Sequence, residues 1–282
     1  MKWLQFFTPA KSMDTVQAKE FIAKHPNEET TILDVRQPSE YEQSHIPGAV
    51  LIPLSELSDR LGELDPDKST MVYCAIGGRS RVAAQMLAGK GFKKVINMSG
   101  GIKAWESEIA VGPQELGVDL FSGKEEPAEV LKVAYSLEQG LRDFYLTLGT
   151  QTTNPKVKDL FAKLAEIELN HQKSIFQTYL DIGEENVKIS QKDFESMVEV
   201  KSLEGGISTE QYLELFNPDL DKETDVISLA MSIEAQALDL YQRVTLSIDN
   251  PDSKQVVQKI ANEEKAHIES LGKLMDSLKG TN

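Results

Sequence analysis

Apolar residues recur in two rhythms along the chain, and the change between them falls near residue 110. In the first part they form short runs at 31–35, 48–52, 70–73 and 94–98. Runs of that length suit strands of a parallel sheet buried on both faces. Between them lie stretches of helical spacing. One covers 13–25, with Val16, Ala18, Phe21 and Ile22 as inward positions; another runs from about 79 to 90. Such alternation predicts an α/β domain over 1–110.

From residue 127 the period lengthens. Val130, Ala134, Leu137, Leu141, Phe144 and Leu148 step by four and three, the core stripe of a helix packed on helices. A second helix over about 155–180 puts Leu160, Leu164, Ile167, Glu168 and His171 on one side. Third and fourth helices are predicted over 224–247 and 251–279. The 182–223 connection is too long for a hairpin turn and has room for short helices at 194–200 and 210–216. An all-α domain over 127–282 follows, with a Gly/Pro/Glu-containing linker at 111–126 in which Leu116, Val118, Leu120 and Phe121 alternate.

The helical part is written twice. At an offset of 96 residues Ser136, Glu138, Asp143, Tyr145, Asn154, Pro155, Glu168 and His171 coincide with Ser232, Glu234, Asp239, Tyr241, Asn250, Pro251, Glu264 and His267. Residues three apart share a helical face, so Glu168 with His171, and Glu264 with His267, can each aim at one point. Any one of these side chains taken alone reads as ordinary surface charge. The repeated set does not, because it brings four carboxylates and two imidazoles to one interior, the ligand set of a di-iron or di-manganese centre in a four-helix bundle. Glu166 and Glu263 break the symmetry and read as surface charges. Tyr145 and Tyr241 lie two turns beyond Glu138 and Glu234 on the same face, placed either to hydrogen-bond the carboxylates or simply to fill the core.

Charge sharpens the division. Of the net −15, residues 1–112 carry −1 and residues 113–282 carry −14. The second part is therefore a poor partner for nucleic acid and a good one for cations. One cysteine, Cys74, rules out an intramolecular disulfide and a four-cysteine metal site and suits a reduced, cytoplasmic setting. The apolar patch Trp3, Leu4, Phe6, Phe7 is too short for a membrane span and reads as packing on the domain or on a partner subunit.

The third strand runs directly into Cys74, Ala75, Ile76, Gly77, Gly78, Arg79 and Ser80, and a helix follows. In α/β sheets chemistry sits beyond the carboxyl ends of the strands. Inward-pointing amides of a curled loop at a helix N-terminus hold anions, and a thiolate placed there with Arg79 nearby is a nucleophile at neutral pH. A lone cysteine at a strand end is more often a small buried hydrophobe. Two glycines and an arginine argue against that here.

The series Leu33-Asp34-Val35-Arg36, Glu40-Tyr41, His45-Ile46-Pro47-Gly48-Ala49, the Cys74 loop, and Gly100-Gly101-Ile102-Lys103-Ala104-Trp105 resembles a single rhodanese domain. Residues 127–279 resemble the ferritin-like, rubrerythrin-type di-iron proteins, whose topology needs the long crossover. The first resemblance implies a sulfurtransferase in which Cys74 carries a persulfide, taking sulfur from a sulfane donor (thiosulfate or a persulfide) and passing it to a thiol. Its loop of six residues from Cys74 to Arg79 is the length typical of sulfur-transferring members; Ala75 and Ile76 lack the basic or polar groups frequent in thiosulfate-using ones. The second resemblance implies two Fe ions, with Mn or Zn compatible with the same ligands. Glu168 and Glu264 would bridge, Glu138 and Glu234 would be terminal, and His171 and His267 would each bind one metal. It further implies peroxide or dioxygen reduction, an external electron donor and a homodimer. Rubrerythrins commonly add a glutamate where this chain has Ala237, and often a four-cysteine rubredoxin module, which one cysteine cannot form. An iron-binding protein without redox turnover, with the rhodanese part as a docking or redox-sensing module, is the alternative.

Overall fold

The structure is a computed structural model describing residues 10–25, 29–105, 108–183, 189–198 and 207–279. The apolar patch at residues 3–7 lies outside them, as does Val200 at the end of one expected short helix. The chain divides into two compact units, 1–114 and 115–282.

The first unit is built on a five-stranded sheet of β1 Lys11–Met13, β2 Thr30–Asp34, β3 Val50–Leu51, β4 Ser69–Tyr73 and β5 Lys94–Met98, in the order β1-β5-β4-β2-β3. Every pairing is parallel. Helices α1 Thr15–Lys24, α2 Pro38–Gln43 and α3 Gly78–Gly89 complete it. Successive strand residues point to opposite faces. Leu33 and Val72 thus enter one apolar cluster with Ala83, Ala84 and Leu87, while their neighbours Ile32 and Met71 enter another with Ala18, Tyr41 and Met98. Burial on both faces explains the uninterrupted apolar runs. The central strand, β4, delivers Cys74 to the end of the sheet.

Three expectations are corrected. β1 has no apolar signature in the sequence, and it takes Met13 out of the first helix, which starts at Thr15 behind an Asp14–Gln17 capping box. Val16 points outward, 66% exposed, and Ala18 with Ile22 carries the inward face. The run at 48–52 narrows to Val50–Leu51 because Gly48 has φ +74° and the Ala49 amide turns back to Ile46 O.

In the second unit α4 Pro127–Gln151 packs on α5 Pro155–Ile182 and α8 Glu223–Ser247 on α9 Pro251–Lys279; α4 also meets α9, and α5 meets α8. All four long helices contribute side chains to one apolar cluster. Val130, Ala134, Leu137, Leu141, Phe144 and Leu148 are all buried as the spacing predicts, whereas Ile167 faces solvent. Its neighbour Glu168 takes the inward position instead. Asn154 and Asn250 each accept backbone amides as N-caps, and a proline follows in the first turn, where its missing N–H costs nothing. The crossover holds α6 Gln191–Glu195 and α7 Thr209–Phe216. Phe194 anchors α6 edge-on to Tyr135 and 4.5 Å from the Tyr179 ring. Within the expected linker, Val118, Leu120 and Phe121 pack on the helical core, and Arg243 Nη1 donates to Leu116 O. Among the described residues no helix is long and apolar enough to cross a membrane.

Candidate sulfur loop and candidate metal centre

Gly77, at φ +96°, caps α3, and the loop before it curls so that its own amide donates to Cys74 Sγ at 3.1 Å. Ser80, one turn into the helix and fully buried, places Oγ 3.4 Å from the same sulfur. Burial pushes the Cys74 thiol up, but the Ser80 hydroxyl and the amides of Ser80, Ile76 and Gly77 outweigh it and hold the thiol below its ordinary value. The lowered pKa agrees with the sequence; these groups, rather than Arg79, are its leading cause. Ala75 is half-buried and Ile76 forms an exposed crest, while Gly78 opens the helix.

A second glycine loop braces the first. Ile102 N donates to Cys74 O and Lys103 N to Ala75 O, at 2.8 and 3.1 Å. Gly101 allows this approach, since a Cβ there would overlap the Cys74 carbonyl and lie 2.6 Å from Ala75 O.

Three residues given no role from sequence touch this site. The single Ser80 hydroxyl proton is shared between two acceptors, Cys74 Sγ and, at 2.7 Å, Asn97 Oδ1, and Asn97 Nδ2 donates to Ser12 Oγ at 3.2 Å, tying the loop to β5 and β1. Arg79 donates from Nη1 and Nη2 to the two oxygens of Glu40, at 2.6 and 2.7 Å. Arg79 holds Glu40 down to about 2, so the pair is charged at any physiological pH.

In the helical unit the repeat-related residues converge. Glu138, Glu168 and His171 each offer a ligand atom, all within 4.8 Å of one another, and so do Glu234, Glu264 and His267. His171 Nδ1 lies 2.7 Å from Glu168 and 3.5 Å from Glu138; His267 Nδ1 lies 3.1 Å from Glu264 and 3.5 Å from Glu234. The imidazoles stack at 3.7 Å, almost parallel, which sets the two triads side by side. All four carboxylates are at most 2% exposed. Charges so deeply buried must be paired, protonated or metal-bound. Burial, then the charge of Glu234, raises Glu168; burial also pushes Glu234 up, but the hydrogen bond and charge of His267, with Glu264 and His171, together hold it below its usual value. Oxygen and imidazole donors at this density fit a pair of Fe, Mn or Zn ions. Tyr145 and Tyr241 are fully buried, and Tyr145 lies among Phe144 and Phe161. Ala237 is buried on α8 one turn after Glu234.

A Rhodanese-like domain family model matches residues 17–108. A Rubrerythrin model matches residues 129–275, more than half of the chain. "Putative sulfur carrier protein YrkF" of Bacillus subtilis (strain 168) is 41% identical over 97 residues, 34% of this chain and 52% of that protein. The chain thus spans about half the length of that relative. "Thiosulfate sulfurtransferase GlpE" of Pseudomonas syringae pv. syringae (strain B728a) is 37% identical over 84 residues, 30% of this chain and 76% of the relative. The crystal structure of a rhodanese-like domain protein from Staphylococcus aureus is 30% identical and covers 36% of this chain and 97% of its own, with a TM-score of 0.33. With repeated helices, paired carboxylate–histidine triads and a curled cysteine loop all in one polypeptide, the chain belongs to the rubrerythrin family and carries a rhodanese-like domain ahead of its rubrerythrin domain.

Proposed function

We propose that the chain couples a cysteine-persulfide sulfurtransferase, residues 1–114, to a ferritin-like four-helix bundle, residues 115–282, that holds two irons and reduces peroxide. The observation that carries the first half is Cys74 Sγ at the focus of the Gly77 amide and the Ser80 hydroxyl. In the forward step the Cys74 thiolate attacks the outer sulfur of a donor R–S–SH. An Sγ–S bond forms as the donor S–S bond breaks, RS⁻ leaves, and the proton stays on the new persulfide. A thiolate acceptor then takes that sulfur and regenerates Cys74. The loop amides and the α3 N-terminus stabilise negative charge on whichever sulfur bears it. The Bacillus and Pseudomonas relatives, named as a sulfur carrier and a thiosulfate sulfurtransferase, support sulfur handling.

For the second half the paired triads carry the reading. Held by these residues, a pair of ferrous ions would supply the two electrons that, with two protons, reduce a peroxide O–O bond to water. Glu168 and Glu264 would bridge them, Glu138 and Glu234 would close the outer positions, and His171 and His267 would each bind one. Tyr145 and Tyr241 would support the carboxylates from two turns along their helices. Electrons would come from a reductant outside the chain.

Ala237 favours a second reading, an iron-holding protein without turnover, because no carboxylate stands one turn after Glu234. Iron content and optical spectrum decide between them. About two irons per chain, expected from the ligand set, with an absorption that bleaches on reduction and returns with one equivalent of peroxide, supports turnover. Bound iron with no peroxide response leaves the holding role.

A further inference from the structure

The loop from Cys74 to Ser80 contains one cationic side chain, Arg79, and that cation is already engaged. Two of its nitrogens donate to the two oxygens of Glu40 in the forked geometry that carboxylate and guanidinium favour. Glu40 is itself fixed in place. It is the third residue of α2, and its Oε2 also accepts the Gln37 amide at 3.1 Å in a capping box. The carboxylate is therefore part of a helix start and not a mobile surface group. Both partners are about one-third exposed, so the ion pair lies at the mouth of the loop and not beneath it.

Resting on the sulfurtransferase reading above, we infer that Glu40 sets the donor class of the Cys74 site: by neutralising Arg79 it disfavours a dianionic donor such as thiosulfate and favours the persulfide of a low-molecular-weight thiol. Thiosulfate brings two negative charges, and its transfer expels sulfite, also a dianion: Cys74–S⁻ and S–SO₃²⁻ give Cys74–S–S⁻ and SO₃²⁻. To meet that charge Arg79 must divide itself between Glu40 and the donor, which leaves a carboxylate beside a dianion. A persulfide makes no such demand, because Cys74–S⁻ and R–S–SH give Cys74–S–SH and RS⁻ with a single charge throughout. The loop amides and Ser80 suffice for it. Ala75 and Ile76 offer apolar contact in place of further charge, and a cysteine only 1% exposed is reached more readily by a small donor than by a protein surface.

The test uses the full chain and its Glu40→Gln and Glu40→Asp variants, each given thiosulfate or cysteine persulfide, with sulfur added at Cys74 followed by intact mass. Gln keeps an oxygen for the Gln37 amide while removing the charge. Wild type is expected to load faster from cysteine persulfide. In Glu40→Gln the thiosulfate-to-persulfide ratio of kcat/KM should rise about tenfold, through a lower KM for thiosulfate, as expected for freeing one charge-assisted pair. That gain should shrink with added salt, which a purely structural change would not do. Glu40→Asp, which keeps the charge, should stay near wild type. If wild type prefers thiosulfate, or if the ratio is unmoved or falls in Glu40→Gln, the assignment to Glu40 is wrong while sulfur transfer stands. If neither donor loads Cys74 in wild type, the sulfurtransferase reading fails and this one with it.

Discussion

Asn154 grips Asp221 at two points: its backbone amide donates to the Asp221 carboxylate at 3.1 Å, and its side-chain amide donates to the Asp221 carbonyl at 2.8 Å. Thr152 Oγ1 and the Thr153 amide reach the same carboxylate. The counterpart contact lies 96 residues on, where Asn250 Nδ2 donates to Glu126 Oε2 and the Asp249 amide donates to Gly123 O. Each helical hairpin is thus closed at its tip by the segment leading into the other hairpin. The internal repeat is one of mutual clamping as well as of carboxylate and imidazole positions.

Asp221→Ala should therefore lower the melting temperature of the helical unit, by more than Asp143→Ala on the exposed face of α4. The Thr152 hydroxyl and the Thr153 and Asn154 amides hold the Asp221 carboxyl below its usual range. Its contribution is fully present above the ordinary carboxylate pKa and is lost as pH falls through the lowered one. The gap between variant and wild type should accordingly close in strong acid. Identical melting at neutral pH would show that the clamp does not stabilise the fold.

At the cysteine, iodoacetamide alkylation followed against pH should give a midpoint below the ~8.5 of a free thiol. Ser80→Ala should raise it, because the thiolate loses its side-chain hydrogen-bond donor. Because the folded-state pKa is lowered, the thiolate contributes stability above the unfolded pKa, and this fades as pH falls through the folded one. An unmoved midpoint in Ser80→Ala would assign the effect to the backbone amides alone.

Gly101 is a backbone requirement of the same site. With φ +61° and the carbonyls of Cys74 and Ala75 in the space a Cβ would fill, Gly101→Ala must push the two loops apart. Denaturant titration should show a loss of about 1–3 kcal/mol from overpacking and left-handed strain. Sulfur loading at Cys74 should fall further than stability does. Normal loading in a destabilised variant would mean that the bracing bonds from Ile102 and Lys103 do not shape the loop.

The parts of this architecture legible in the sequence are those imposed by periodicity or repetition. The buried stripe of α4 and the six carboxylate and imidazole positions follow from spacing alone, since a repeat must place matching residues at matching depths. β1 was hidden because Lys-Ser-Met carries no apolar alternation and its place comes from pairing with β5. Ile167 misled because it is adjacent to an inward residue and a helix turns 100° per step. The Arg79–Glu40 pair spans 39 residues and the Asn97–Ser12 contact 85, distances at which a sequence without the fold gives no cue to partnership.

The strongest separation of stability from function lies at the buried carboxylates. Side chains of Glu168 and Glu264 are about 1% exposed, and a charge at such depth costs several kcal/mol unless it is compensated. If the cluster exists to hold metal, the wild-type chain should melt higher when loaded than after chelation, by about 2.7–4.1 kcal/mol at a hundred- to thousandfold excess over Kd. Replacing both residues by leucine, of similar volume, should abolish metal uptake yet give a protein that melts above chelated wild type, because buried ionic groups are often less stabilising than apolar ones. Residues kept for packing would behave oppositely: the double Glu168→Leu, Glu264→Leu variant would melt below the chelated wild type, and chelation itself would change nothing. Scanning calorimetry of loaded wild type, chelated wild type and the double variant, with metal content measured on each, separates the two cases.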